Sequence, residues 1–201
     1  MSFLYLASRS PRRREILSQI GVPHRVLLTD VPEVRAEGEA PLQYVERLAC
    51  DKALAGLQVL TESNLPMAPV LGSDTLCLLN GEVLEKPRDE VDAISMLLRM
   101  AGKEHSVLTA VCVADGQRQC SKVSETRVRF RAFDRQEAIQ YWQTGEPADK
   151  AGAYGIQGRG AALVEHMEGS YSGVVGLPIE TLLPLLDIFN IAVWQTELGN
   201  S

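Results

Sequence analysis

A short apolar run, Phe3-Leu4-Tyr5-Leu6-Ala7, gives way at once to Ser8-Arg9-Ser10-Pro11-Arg12-Arg13-Arg14. The apolar run predicts a buried strand. Ser10 ahead of Pro11 predicts a helix start, because serine caps helix N-termini and proline is tolerated at the first helical position. Three arginines then fall in the first turn, where the helix dipole is positive and a cation is disfavoured by roughly 0.3–1 kcal/mol. Cations crowded where the helix repels them imply an anion at that point. Strand, tight turn, helix N-terminus and arginines together describe a phosphate site, with a solvated basic turn as the alternative.

Charge narrows the ligand. Across 201 residues the formal net charge is −6, which argues against a nucleic-acid binder and for a small anionic ligand. The length suits one domain, with or without two lobes. The apolar stretch at the N-terminus is too short for a signal peptide or a membrane span, so no membrane partner and a cytoplasmic location are expected. Cys50, Cys77, Cys112 and Cys120 form no C-x-x-C pair and have no nearby histidine, and they are expected as reduced core residues.

Strand and helix patterns alternate along the chain. Strand Phe3–Ala7 leads to helix Pro11–Ile20, capped by Gly21, and then to strand His24–Thr29. A polar loop with Pro32 and Glu33 precedes a helix from Pro41 to about Leu60, with an apolar stripe of Val45, Leu48, Ala49, Ala53, Gly56, Leu57 and Leu60. Val70–Leu79 and Glu82–Leu84 flank Asn80-Gly81, a strong hairpin signal. Asp89 caps a helix to Ala101. Val107–Ala114 and Gln117–Arg131 flank Asp115-Gly116; in the second run Thr126, Val128 and Phe130 alternate with Arg127, Arg129 and Arg131. Asp134 and Glu137 form a capping box for helix Arg135–Thr144. Ala162–His166 reads as a strand, and Pro178 opens a final helix kinked or interrupted at Pro184. The expected fold is α/β, a mixed sheet flanked by helices, in a single domain over 1–201 with a loosely held tail from about 191.

Several residues could carry chemistry. Lys52 lies on the apolar stripe of its helix, so it either snorkels to solvent or meets an anion. Asp74, in Gly72-Ser73-Asp74-Thr75, interrupts an apolar strand and suits a metal ligand or a general base; a bulge or a buried hydrogen-bonded turn is the alternative. Glu85-Lys86-Pro87 offers a further cation or simply a surface turn. Asp149–Gly160 is glycine-rich but lacks phosphate-loop spacing; it reads better as a pocket wall bearing Tyr154 and Gln157. His24, His105 and His166 show no metal-ligand spacing and read as structural. With Glu33 and Asp74 as carboxylates, the residues favour metal-assisted phosphate hydrolysis.

Taken together, L-A-S-x-S-P-R-R at Leu6–Arg13, G-S-D-T at Gly72–Thr75, E-K-P at Glu85–Pro87, D-K-A-G-A-Y-G-I-Q-G at Asp149–Gly158 and V-V-G-L-P at Val174–Pro178 resemble the Maf family of nucleoside triphosphate pyrophosphatases. The resemblance runs over essentially the whole chain. It implies two lobes around a deep cleft, a fold related to inosine triphosphate pyrophosphatases, and a divalent cation, Mg²⁺ or Mn²⁺. It implies Asp74 as proton acceptor, and Ser8, Arg12, Arg13, Lys52 and Lys86 as the lining of the phosphate site. Glu33 is implied as an accessory metal or substrate carboxylate, with Glu33 and Asp74 as the expected metal ligands. Arg12, Thr75 and Gln157 match the dTTP/UTP branch rather than the 7-methyl-GTP branch. A regulatory nucleotide-binding module acting on septum formation through a protein partner is the alternative function, and a homodimer stays open.

Overall fold

The computed structural model describes residues 3–195. Its strands are β1 (Leu4–Ala7), β2 (His24–Leu27), β3 (Val70–Leu79), β4 (Glu82–Leu84), β5 (Glu104–Ala114), β6 (Gln119–Phe130) and β7 (Val164–Glu168). The helices are α1 (Pro11–Gln19), α2 (Pro41–Glu62), α3 (Glu90–Met100), α4 (Arg135–Trp142), α5 (Tyr171–Val175) and α6 (Ile179–Ile188), and three 3₁₀ turns lie between α4 and β7. Strand order is β2-β1-β3-β5-β6-β7, with β4 paired to β3. β1 runs parallel to β2 and β3, whereas β4 and β7 are antiparallel to their neighbours. The sheet is therefore mixed and accompanied by helices, as the alternation of hairpins and strand–helix units implied.

The chain divides into two compact units. The first comprises 1–74, 109–123 and 176–201, and the second 75–108 and 124–175. In the first, Tyr5, Ala7, Leu27, Leu60 and Val70 form a buried cluster flanked by Phe3 and Leu57. The α2 stripe is buried as its spacing required, apart from a half-buried Leu57. Gly72 sets how closely α2 lies on β3: a Cβ there would fall 2.1 Å from the Ala49 carbonyl oxygen and 2.7 Å from the Ala53 nitrogen.

In the second unit, Asn80 and Gly81 both take positive φ (52° and 82°), the backbone that a two-residue hairpin needs. Asp89 accepts from the Asp92 N–H and Asp134 from the Glu137 N–H, each capping its helix. Along β6, Thr126, Val128 and Phe130 are buried, while Arg127 and Arg129 reach Glu168 and Glu165 on β7. His105, Phe130 and Tyr154 pack edge to face, and His105 Nε2 lies 2.9 Å from the Tyr154 hydroxyl. Burial pushes His105 down to about 4, so it is a neutral core group.

Some boundaries differ from those read in the sequence. Ser10 takes the N-cap position without a side-chain cap bond, and its N–H donates to Ser8 Oγ at 3.1 Å. β5 begins at Glu104 rather than Val107, because cross-strand pairing carries the ladder through a polar stretch that lacks an apolar signature. At the second hairpin Asp115 Oδ1 accepts from Gln117 N and Arg118 N, closing a longer turn than Asp115-Gly116 alone. In the expected tail Ile191 is buried, and the N–H groups of Trp194 and Gln195 donate to the Ile20 and Gly21 carbonyls; 196–201 lie outside the described residues.

Gly72→Ala forces helix backbone off β3, so it should destabilise the protein by at least about 1–3 kcal/mol. A urea titration should show a lower midpoint, whereas an unchanged midpoint would mean that α2 is not held at this distance.

Candidate active site

Parallel pairing of Ala7 with Gly72 sets Ser8, just past the end of β1, level with Ser73 inside β3, and the first unit's polar cluster starts there. Ser73 is fully buried and its hydroxyl donates to the Gly176 carbonyl at 3.0 Å. Arg13 Nε donates to the same carbonyl at 2.8 Å, and Arg13 Nη1 donates to Ser8 Oγ at 3.3 Å. Of the three arginines after Pro11, then, one guanidinium turns back to bridge the α1 start to the segment before α6.

Asp74, next along β3, is 7% exposed. Lys52 Nζ donates to Asp74 Oδ1 at 2.6 Å and to Glu33 Oε1 at 2.6 Å. Lys52 reaches this position because it follows Ala49, the residue lying on Gly72, by one helical turn. An aspartate so deeply placed cannot remain ionised without a partner, and the ammonium supplies one. Burial raises the Asp74 carboxyl above the ordinary aspartate value; Lys52 and Arg13 oppose the rise and Glu33 adds to it. Burial likewise lowers Arg13, with Asp74 opposing, but guanidinium remains protonated at any working pH.

The sequence left Lys52 open between snorkelling and meeting an anion; it meets two. Ser8, Arg13, Glu33, Lys52 and Asp74 thus come together in the first unit, with Arg12 half-buried on the first turn of α1. Thr75, Lys86 and Gln157 belong to the second unit, where Lys86 and Gln157 are exposed. Among the described residues no group of three or more His, Cys, Asp or Glu could hold a metal ion; Glu33 and Asp74 are a pair.

Two contributors escaped the sequence reading. One is the Gly176 carbonyl, a backbone atom whose role no side-chain pattern announces. The other is Glu146, which organises the loop carrying Gln157. Its carboxylate accepts from the Tyr141 hydroxyl at 2.7 Å, Arg159 N at 2.8 Å and Gly160 N at 2.9 Å. Burial alone would raise Glu146, yet these bonds hold it below the usual glutamate value. A Cβ on Gly158 would lie 2.2 Å from Glu146 Oε2, so a side chain there would push on the carboxylate that holds the loop.

The chain matches the sequence profile of Maf-like proteins over residues 3–189. It belongs to the Maf family. Among its relatives, a protein of Saccharophagus degradans is 56% identical over 192 residues, covering 96% of this chain and 91% of that one. One from Yersinia pestis is 50% identical over 94% of each chain, and one from Aliivibrio fischeri is 47% identical over 92% of this chain and 97% of its own. All three are named dTTP/UTP pyrophosphatase. The solved structure of the Staphylococcus aureus Ham1 protein overlaps 64% of this chain and 72% of that one, at 14% identity and a TM-score of 0.46. No helix among the described residues is long and apolar enough to cross a membrane.

Because Lys52 both neutralises and hydrogen-bonds Asp74, Lys52→Met should raise the Asp74 carboxyl pKa further. A carbon-13 NMR titration of the side-chain carboxyls reads this directly. An unchanged Asp74 titration would show that the ammonium does not govern its ionisation.

Proposed function

We propose that this Maf-family chain is a nucleoside triphosphate pyrophosphatase that hydrolyses dTTP and UTP to the monophosphate and pyrophosphate. The observation that carries the reading is Asp74, a buried carboxylate raised by desolvation and held on Lys52 beside Glu33. A carboxylate with a raised pKa is a stronger base toward water than a solvated one. In this reading Asp74 takes a proton from a water that attacks the α-phosphorus, the bond from that phosphorus to the bridging oxygen breaks, and pyrophosphate leaves.

The remaining groups bind and neutralise. In this reading Ser8, Arg12, Arg13 and Lys52 bind the triphosphate, with Lys86 the further cation that the family resemblance implies, and such charge stabilisation with positioning supplies most phosphoryl-transfer catalysis. A divalent cation fits the donor set, since Mg²⁺ is usually held by one or two carboxylates together with substrate phosphates. Glu33 and Asp74, already converging on a single positive charge at Lys52 Nζ, would hold it, and when bound it supplies further neutralisation of the triphosphate. Arg12, Thr75 and Gln157 select the base. Uracil and thymine offer carbonyl acceptors around an imide N–H, and the Gln157 amide can both donate and accept.

Purified protein incubated with Mg²⁺ or Mn²⁺ and a panel of triphosphates should release pyrophosphate, fastest from dTTP and UTP. Binding without turnover would leave a nucleotide-binding module in its place, and a preference for 7-methyl-GTP would overturn the base assignment. Asp74→Asn should lower kcat by roughly 10²-fold or more while substrate still binds; near-normal turnover would put the base elsewhere. Asp74 acts only when ionised and its pKa is raised. The wild-type rate should therefore fall with decreasing pH at a higher pH than an ordinary aspartate would give.

A further inference from the structure

The sequence marks the four cysteines as reduced core residues, and Cys77 fits that description. It is buried in the second unit 3.8 Å from Met100 Sδ, and burial pushes its thiol up to about 12. Three others gather in the first unit. Cys50 on α2 is half-exposed and hydrogen-bonded to the Cys112 thiol on β5 and to Ser121 on β6, with Cys120 adjoining Cys112. Glu46 and Asp51 on α2 also face this group, and Glu46 accepts from the Ser121 hydroxyl at 2.7 Å.

We propose that Cys50 and Cys112 are a peroxide-sensitive pair, which closes to an intramolecular disulfide and slows the enzyme until a dithiol reduces it. The two sulfurs are unequal. Cys50 borders solvent, where a small oxidant can reach it, while Cys112 is fully buried behind it. The Cys112 thiol is hydrogen-bonded to the Cys50 sulfur, which favours the thiolate on the more exposed of the two. The thiolate is the nucleophile, so Cys50 attacks and Cys112 resolves.

The steps balance. The Cys50 thiolate attacks one oxygen of hydrogen peroxide, the O–O bond breaks, and Cys50 becomes a sulfenic acid as hydroxide leaves and is protonated to water. Cys112 sulfur then attacks Cys50 sulfur; the S–S bond forms, the S–OH bond breaks, and the hydroxide leaves as water with the Cys112 proton. Two thiols and one peroxide give one disulfide and two waters.

The pair sits where such a bond matters. Cys50 follows Ala49, whose carbonyl lies against Gly72, and precedes Lys52 by two residues on α2. Sulfurs at hydrogen-bond distance must draw in to roughly 2 Å to bond, which moves Cys50 toward β5 and disturbs the helix that presents Lys52 to Asp74.

The test treats reduced, full-length protein with hydrogen peroxide, alkylates the remaining thiols and digests it without reductant. Mass spectrometry should find the Cys50 and Cys112 peptides joined, lighter than their sum by two hydrogens. The product should be absent from Cys50→Ser and Cys112→Ala and retained in Cys77→Ser. Cys50→Ser, altered only at a half-exposed position, keeps the test decisive if the buried Cys112 variant fails to fold. Sulfinic Cys50 without a cross-link, a Cys50–Cys120 product, or no oxidation would overturn the pairing. Turnover of dTTP should drop several-fold on oxidation and return with dithiothreitol; cross-linked protein of unchanged turnover would overturn the regulatory effect. That last readout rests on the proposed pyrophosphatase activity, whereas the peptide masses do not, so failure of one is distinguishable from failure of the other.

Discussion

The ammonium of Lys52, shared at 2.6 Å by Asp74 and Glu33, is the interaction on which the first unit's chemistry turns. Removing a carboxylate from water costs several kcal/mol unless a partner compensates, and Asp74 is almost wholly removed. Glycine at 72 permits the helix backbone to lie directly on β3, and the helical spacing from Ala49 then delivers Lys52 to the carboxylate. Without that close approach Asp74 would be a buried charge with its main partner withdrawn. Glu33 comes from an exposed loop, so of the two carboxylates it has more freedom to exchange the ammonium for another cation.

The second unit solves a different problem, holding an exposed glycine-rich loop in shape. Glu146 does this from inside the loop by collecting a tyrosine hydroxyl and two backbone N–H groups, and Lys150 Nζ ties the same turn through the Glu146 carbonyl at 2.6 Å. The aromatic cluster of His105, Phe130 and Tyr154 supports the segment from the apolar side. Gln157 stays exposed on this loop.

Much of this was legible in the residues. Turn chemistry at Asn80-Gly81, caps at Asp89 and Asp134, and the strict alternation of β6 are local signals, and each element formed where its signal lay. Lys52 and Asp74 stood out because each contradicts its apolar surroundings. What stayed illegible is non-local. Nothing in Glu104-His105-Ser106 reads as strand, because pairing rather than composition extends β5. The convergence of Cys50 with Cys112, 62 positions apart in sequence, and the service of the Gly176 carbonyl to two donors exist only once the chain has folded.

In the proposed reaction Asp74 directs water to the α-phosphorus of a pyrimidine triphosphate. Single-turnover hydrolysis of dTTP in heavy-oxygen water, followed by mass analysis of both products, tests it most directly. The label should appear in the phosphoryl group of dTMP, with none in pyrophosphate. Label in pyrophosphate, or release of dTDP and phosphate instead, would contradict it.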